Sequence, residues 1–322
     1  MNTQEIIGCM NHCGERGIPF LFAVDFEGKE GFFIEQPMNQ TEILFRTPTA
    51  INQPEPVRSE VPARLTAKPI PYPEYRKRFD TVMQGLMRGD SYLANLTVRT
   101  PVETELSLEE IFGRSRSPYG LMVPGRFVCF SPERFVRIAS GRISTHPMKG
   151  TISGDVPDAE QVILHDPKET AEHCTIVDLM RNDIGFIAED IRVERFRYID
   201  RIRTQQDEIL QVSSEITGRL PEDYRSHLGD IVFRMLPAGS VSGAPKRSTV
   251  DLIRRAEAEP RGFYTGVFGY FDGHELDTAV LIRFIAQDGN DLFFHSGGGI
   301  TVNSDVQKEY EEVLKKIYLP FV

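Results

Sequence analysis

Two Asp-Gly pairs, Asp272-Gly273 and Asp288-Gly289, interrupt runs of aromatic and aliphatic residues near the C-terminus, and this punctuation leaves few folds open. An Asp-Gly pair supplies the left-handed backbone of a tight hairpin. The runs from Phe263 to Phe271, Leu276 to Gln287 and Leu292 to Ser296 therefore read as an antiparallel meander. Shorter strands are expected at Tyr92 to Arg99, Arg126 to Phe130, Arg134 to Ile138, Arg142 to Thr145 and Leu210 to Thr217, each bounded by turn residues. Ile18 to Asp25 and Gly31 to Glu35 flank a Glu-Gly-Lys turn and read as a further hairpin. Helices are expected from Pro73 to Gly89, where Tyr75, Phe79, Val82, Met83 and Leu86 recur at spacings of three and four, and from near Pro167, Pro221, Ala244 and Ser304. Helices and strands alternate too little for a parallel sheet, so the class is α+β with antiparallel sheets and helices outside them.

The stretch Thr47 to Pro73, rich in Pro and polar residues, divides the chain into residues 1–70, a short N-terminal hairpin segment and linker, and residues 71–322, the catalytic domain. A formal net charge of -10 without a long run of either sign argues against nucleic acid or a membrane surface as partner. No apolar stretch approaches the ~20 residues of a membrane span, and Met1-Asn2-Thr3-Gln4 lacks the features of a signal peptide, so the cytoplasm is the expected location. Cys9, Cys13, Cys129 and Cys174 are too scattered for a disulfide framework. Cys9, His12 and Cys13 lack the second pair that a zinc site needs, and they read as part of an ordinary terminal segment.

Two helices each carry a pair of carboxylates three residues apart. In the first, Asp166 can cap, Pro167 takes the first helical position, and Glu169 and Glu172 share a face. The second opens with Ser304-Asp-Val-Gln307, a capping-box pattern, and sets Glu309, Glu312 and Lys316 on one face against Val306, Tyr310, Val313, Leu314 and Ile317 on the other. Such stripes are either solvated helix faces or the carboxylates of a hard-cation site, since Mg²⁺ takes one or two carboxylates and keeps room for water and an anionic ligand. Glycine-rich segments, Gly239 to Lys246 and Ser296 to Ile300, are either tight turns or sources of backbone N–H groups for an anion. The first is not a P-loop, because its lysine falls three residues after the second glycine.

The order and wording of these segments resemble the catalytic domain shared by anthranilate synthase, aminodeoxychorismate synthase and isochorismate synthase. The matches are Ser131-Pro-Glu-Arg-Phe135, His146-Pro-Met-Lys-Gly-Thr151, the segment from Glu172 to Asp183, the segment from Pro237 to Lys246, Arg261-Gly-Phe-Tyr264, and Ser296 to Ile300 with Glu309 to Lys316. The resemblance implies two large antiparallel sheets packed around an active-site cleft. It also implies Mg²⁺ as cofactor, held directly by Glu172 and Glu312 and through water by Glu169 and Glu309, and chorismate as substrate. Thr151, Ser240, Tyr264, Arg283 and the backbone of Gly297, Gly298 and Gly299 match substrate-binding positions, with Lys316 balancing charge, and Glu133 matches the acid that protonates the departing ring hydroxyl.

Within that resemblance, the fourth residue of the His146 segment separates the relatives: alanine in anthranilate and isochorismate synthases, lysine in aminodeoxychorismate synthases. The residue here is Lys149. This implies amination of chorismate at C4 through a covalent lysine intermediate, with synthesis of an anthranilate-type product or a non-catalytic chorismate-binding regulator as the alternatives. Presenting a neutral lysine amine near pH 7 costs on the order of 4 kcal/mol unless the site lowers the pKa from about 10.4. Leu93 stands where water-using relatives have a lysine and ammonia-using ones a glutamine, and Gln211 stands where they have histidine. No cysteine sits in a Gly-rich elbow followed by His-x-Glu, so the resemblance implies a separate glutaminase subunit as the ammonia source. No serine-bearing motif of a tryptophan-binding sandwich is found, and feedback by tryptophan is not expected.

Overall fold

The computed structural model describes residues 1–53, 64–203, 208–319 and 321. Of the linker stretch Thr47 to Pro73, residues 54–63 lie outside the described residues. The class is α+β, and the strands form two antiparallel sheets, of nine and eight strands among the described residues. The larger runs in the order Met148–Ser153, Glu208–Arg219, Arg142–Thr145, Arg134–Ala139, Leu276–Val280, Val267–Phe271, Phe20–Val24 and Gly31–Glu35, with Glu189–Arg203 also paired to Glu208–Arg219. The smaller runs Gly243–Ala244, Leu93–Glu103, Asp291–Ile300, Phe284–Asp288, Phe127–Cys129, Gly120–Val123 and Leu44–Arg46, with Thr66–Ala67 paired to Leu93–Glu103.

Strand Phe20–Val24 shows why its sequence is apolar throughout. Phe20, Phe22 and Val24 pack into a core shared with helices Thr3–Arg16, Pro167–Gly185 and Leu228–Arg234, while Leu21 and Ala23 pack into a second core that includes Phe45, Phe127 and Phe284 of the smaller sheet. A strand buried on both faces needs no polar alternation, and each fully buried Phe contributes about 1.5–3 kcal/mol. The same strand pairs with Val267–Phe271 in register Phe22↔Gly269, so the N-terminal hairpin is built into the larger sheet. A third core joins helices Tyr72–Arg88, Lys246–Glu257 and Val306–Lys315 to Ala94, Leu96 and Val98 on the outer face of the smaller sheet.

The expected single strand from Leu276 to Gln287 is two strands. Leu276–Val280 belongs to the larger sheet and Phe284–Asp288 to the smaller, and the chain changes sheets at Leu281, Ile282 and Arg283. The run is apolar across the change because Leu281 is fully buried between the sheets and Ile282 packs against both cores, which hides the break from periodicity. Strand Phe263 to Phe271 likewise begins only at Val267, after a turn containing Thr265 and Gly266. The cap of the last helix is Asp305, whose carboxylate accepts from the Gln307 and Lys308 N–H groups, and the Ser304 hydroxyl instead accepts from Thr301 N–H. The Cys9, His12 and Cys13 segment is the helix Thr3–Arg16, closed by an Asn2 capping box and Gly17 in the left-handed region.

Candidate active site

Both strands that change sheets do so at the same place. Phe127–Cys129 leaves the smaller sheet and Arg134–Ala139 enters the larger, so residues 130–133, punctuated by Pro132, cross beside residues 281–283. Phe130 N–H donates to the Arg283 carbonyl at 3.1 Å, and Val280 N–H donates to the Glu133 carbonyl at 3.2 Å. The turn before Val267 joins them, with Thr265 N–H donating to Leu281 O and Leu281 N–H to Gly266 O, both at 2.8 Å. Thr265 (φ 61) and Arg283 (φ 52) hold left-handed backbone there, a conformation that costs a non-glycine residue about 1–3 kcal/mol. Glu133, Tyr264 and Arg283, far apart in sequence, are thus neighbours.

Beside this seam opens a cavity of about 820 Å³, lined among others by Glu133, Lys149, Glu172, Ser240, Glu312 and Lys316. Lys149 lies on Met148–Ser153, where Gly150 (φ 92) breaks the register to the neighbouring strand. Its Nζ is 2.9 Å from Glu172 Oε2. Burial works to lower the Lys149 pKa, but Glu172 first, then Glu312 and Glu169, together hold it above the usual lysine value. Lys316, which follows the last helix, reaches back to Glu312 at 2.7 Å and donates to the Gly297 carbonyl at 2.7 Å. Burial outweighs Glu312 and lowers the Lys316 pKa, with Arg283 and Lys149 adding to the fall. Burial raises the Glu133 pKa against the hydrogen bond from Ser240 and the charges of Arg283 and Lys316, and that Ser240 Oγ to Glu133 Oε1 bond is 2.5 Å long.

The carboxylates expected at a metal come from two helices, Glu169 and Glu172 from Pro167–Gly185 and Glu309 and Glu312 from Val306–Lys315, and Glu172 and Glu312 line the one cavity. A Cβ added to Gly298 would lie 3.3 Å from Glu309 Oε2 and 3.9 Å from Glu312 Oε1, and one added to Gly150 would lie 2.9 Å from Glu169 Oε2. A side chain at Gly150 would therefore crowd Glu169 and one at Gly298 would crowd Glu309, while Glu312 would stand at ordinary contact distance. Among the described residues no group of three or more His, Cys, Asp or Glu side chains converges as a ready-made metal cage. The donors nevertheless suit Mg²⁺ in kind, because that ion binds through one or two carboxylates and completes its shell with water and ligand oxygens.

Other expected positions lie elsewhere. Tyr264 is buried against His295, with ring centroids 4.9 Å apart, and burial raises its pKa. Arg283 sits close enough to act electrostatically on both Tyr264 and Glu133, and its Nε has no hydrogen-bond partner among the described residues. Neither side chain lines the cavity, and Thr151 is exposed opposite Gln211 in the sheet. Leu93 is buried at the cavity wall, 3.2 Å from a Cβ placed on Gly299, so no titratable group stands at its position.

Two buried ion pairs escaped the sequence reading. Lys246 does not face the cavity: its Nζ is 2.8 Å from Asp183 and donates to Met235 O at 2.7 Å. Arg261 pairs with Glu257 at 2.7 Å and donates to the carbonyls of Val241 and Asn95 at 2.8 and 2.6 Å. Each belongs to a segment that could have been paired by charge, but only the fold shows which acid meets which base.

The chain matches the chorismate binding enzyme family over residues 28–320. It is 48% identical to the "Uncharacterized PabA-like protein" of Haemophilus influenzae, over 98% of this chain and 97% of that protein. Identity to aminodeoxychorismate synthase component 1 of Salmonella typhimurium is 32% over 76% of this chain and 56% of that protein, and to anthranilate synthase component 1 of Aquifex aeolicus 39% over 58% and 38%. Among solved structures, anthranilate synthase component I from Streptococcus pneumoniae superposes with a TM-score of 0.66 at 28% identity, over 80% of this chain and 59% of that one. A putative isochorismate synthase from Bacillus anthracis superposes with a TM-score of 0.74 at 18% identity, over 98% and 86%, which shows the fold alone.

Proposed function

Since the chain belongs to the chorismate binding enzyme family, we propose that it aminates chorismate at C4, giving 4-amino-4-deoxychorismate, with ammonia supplied by a separate glutaminase subunit. The observation that carries this reading is that Lys149 and Glu133 face one cavity, with the apolar Leu93 on its wall where a water-activating base would have to stand. In the free protein Lys149 is an ammonium paired with Glu172. Bound Mg²⁺ would supply positive charge to a substrate carboxylate and draw on the charge of Glu172 and Glu312. Lys149 gives up one proton to solvent at elevated pH, and its amine attacks ring C2. The ring double bond shifts, the C4–O bond breaks, and Glu133 gives its proton to the departing hydroxyl, which leaves as water. Ammonia attacks C4, the double bond shifts back, the bond from C2 to Lys149 breaks with its electron pair returning to the lysine nitrogen, and a proton of the new C4 ammonium restores Glu133. The balance is chorismate plus ammonia to aminodeoxychorismate plus water.

The test is incubation with chorismate, Mg²⁺ and ammonium salt at elevated pH, with the product identified by mass and ultraviolet spectrum. The parent is expected to form the C4 amine with ammonium and not with glutamine alone. Lys149→Ala is expected to lose C4 amination by several orders of magnitude while still binding chorismate. Intact-protein mass spectrometry of the parent without ammonia is expected to find chorismate less water on the Lys149 peptide. Undiminished C4 amination by the alanine variant would end the covalent assignment. The second reading, amination at C2 with loss of pyruvate, is favoured by the 39% identity to the Aquifex protein, and the same product analysis separates the two.

A further inference from the structure

Ser240 occupies the short helix Gly239–Ser242, which is fixed from several directions. The Arg261 guanidinium donates to the Val241 carbonyl at 2.8 Å, and the Ser242 hydroxyl donates to the Ala238 carbonyl at 2.8 Å. Lys246 ties the following turn to Asp183 and to the Met235 carbonyl. Gly239 packs so closely on helix Pro167–Gly185 that an added Cβ would lie 2.4 Å from Met180 Cε. This much buried anchoring holds one hydroxyl, and that hydroxyl donates to Glu133 Oε1 at 2.5 Å. A hydroxyl donates more strongly to the unprotonated oxygen of a carboxyl group than to the oxygen that carries the proton.

We infer that Ser240 is a positioning residue for Glu133, occupying Oε1 so that the proton to be delivered resides on Oε2 and the carboxylate left behind keeps a donor. This rests on the reading of Glu133 as the acid. Arg283 and Lys316 also act on Glu133, and Lys149, Glu172 and Glu312 line the same cavity. Burial raises the Glu133 pKa and Ser240 is the first of the groups that lower it, so loss of the hydroxyl must move the titration upward.

The experiment is a carbon-13 NMR titration of the full chain labelled at glutamate carboxyls, the Glu133 resonance being the one absent from Glu133→Gln. Ser240→Ala is expected to move that titration to higher pH, and Ser240→Thr, which keeps a hydroxyl, to return it toward the parent. With chorismate and ammonium, Ser240→Ala is expected to lower kcat about tenfold, less than the ~10²–10⁴ attached to a general acid itself. An unmoved Glu133 titration in Ser240→Ala overturns the inference, whether or not KM rises. Absence of chorismate turnover in the parent would instead overturn the proposed function, and the titration would still decide the role of Ser240.

Discussion

Lys149 and Glu172 hold each other's charge at 2.9 Å, and that pairing defines what a substitution at either would do. Glu172→Gln removes both a candidate metal ligand and the lysine's counter-ion, whereas Glu312→Gln removes a candidate ligand that pairs with Lys316. Both variants are expected to fold and to lose most Mg²⁺-dependent chorismate binding in calorimetric titration; parental binding by both would return the acidic stripes to solvated helix faces. The stripes were legible because periods of three place Glu169 with Glu172 and Glu309 with Glu312 on one helical face. What faces them was not, since only the fold brings Glu169 against Gly150 and Glu309 against Gly298.

At the scale of elements, the turn from Ala238 to Lys246 is held by a pair that is nearly sealed on the Asp183 side, 4% exposed, and less so at Lys246, 23%. Burial raises the Asp183 pKa, and Lys246 opposes the rise without cancelling it. Lys246→Met strands a buried carboxylate and is expected to cost roughly 3 kcal/mol in urea denaturation, the lower end for a broken buried pair. Adding Asp183→Asn should recover part of it, and a parental midpoint for Lys246→Met would show that the pair contributes nothing. Sequence periodicity found the helices at Tyr72, Pro167, Lys246 and Val306 within a residue or two of their observed starts. It missed Glu189–Arg203, whose mixed run of Glu, Asp and Arg hides the apolar Ile191, Val193, Tyr198 and Ile199, and it merged the two strands around Arg283 because burial between sheets keeps the crossing apolar.

The whole molecule should also carry an acid liability. His295 is held neutral, its pKa lowered by burial and by Arg99 and Arg261 to about 3. The unfolded chain binds that proton near pH 6.5, so the stability linked to His295 is complete above that pH and is lost as pH falls toward about 3, at up to ~1.4 kcal/mol per pH unit. His295→Phe, which keeps a ring against Tyr264 and Phe284, is expected to flatten the fall of the urea midpoint between pH 7 and pH 4; an unchanged slope would assign the acid sensitivity elsewhere. The two crossings at residues 130–133 and 281–283 have a different reach. Because each strand changes sheets while hydrogen-bonded to the other, the Glu133 carbonyl and the Arg283 carbonyl are held from the same seam. The Asp288-Gly289 turn lies at the rim of the smaller sheet, away from that seam, and a Cβ added to Gly289 would meet nothing within 4 Å, whereas Gly273 packs against Gly17 and its carbonyl accepts from Arg225. Chain length is therefore free to vary at that rim, while a residue added at either crossing would displace the Glu133 and Arg283 carbonyls together.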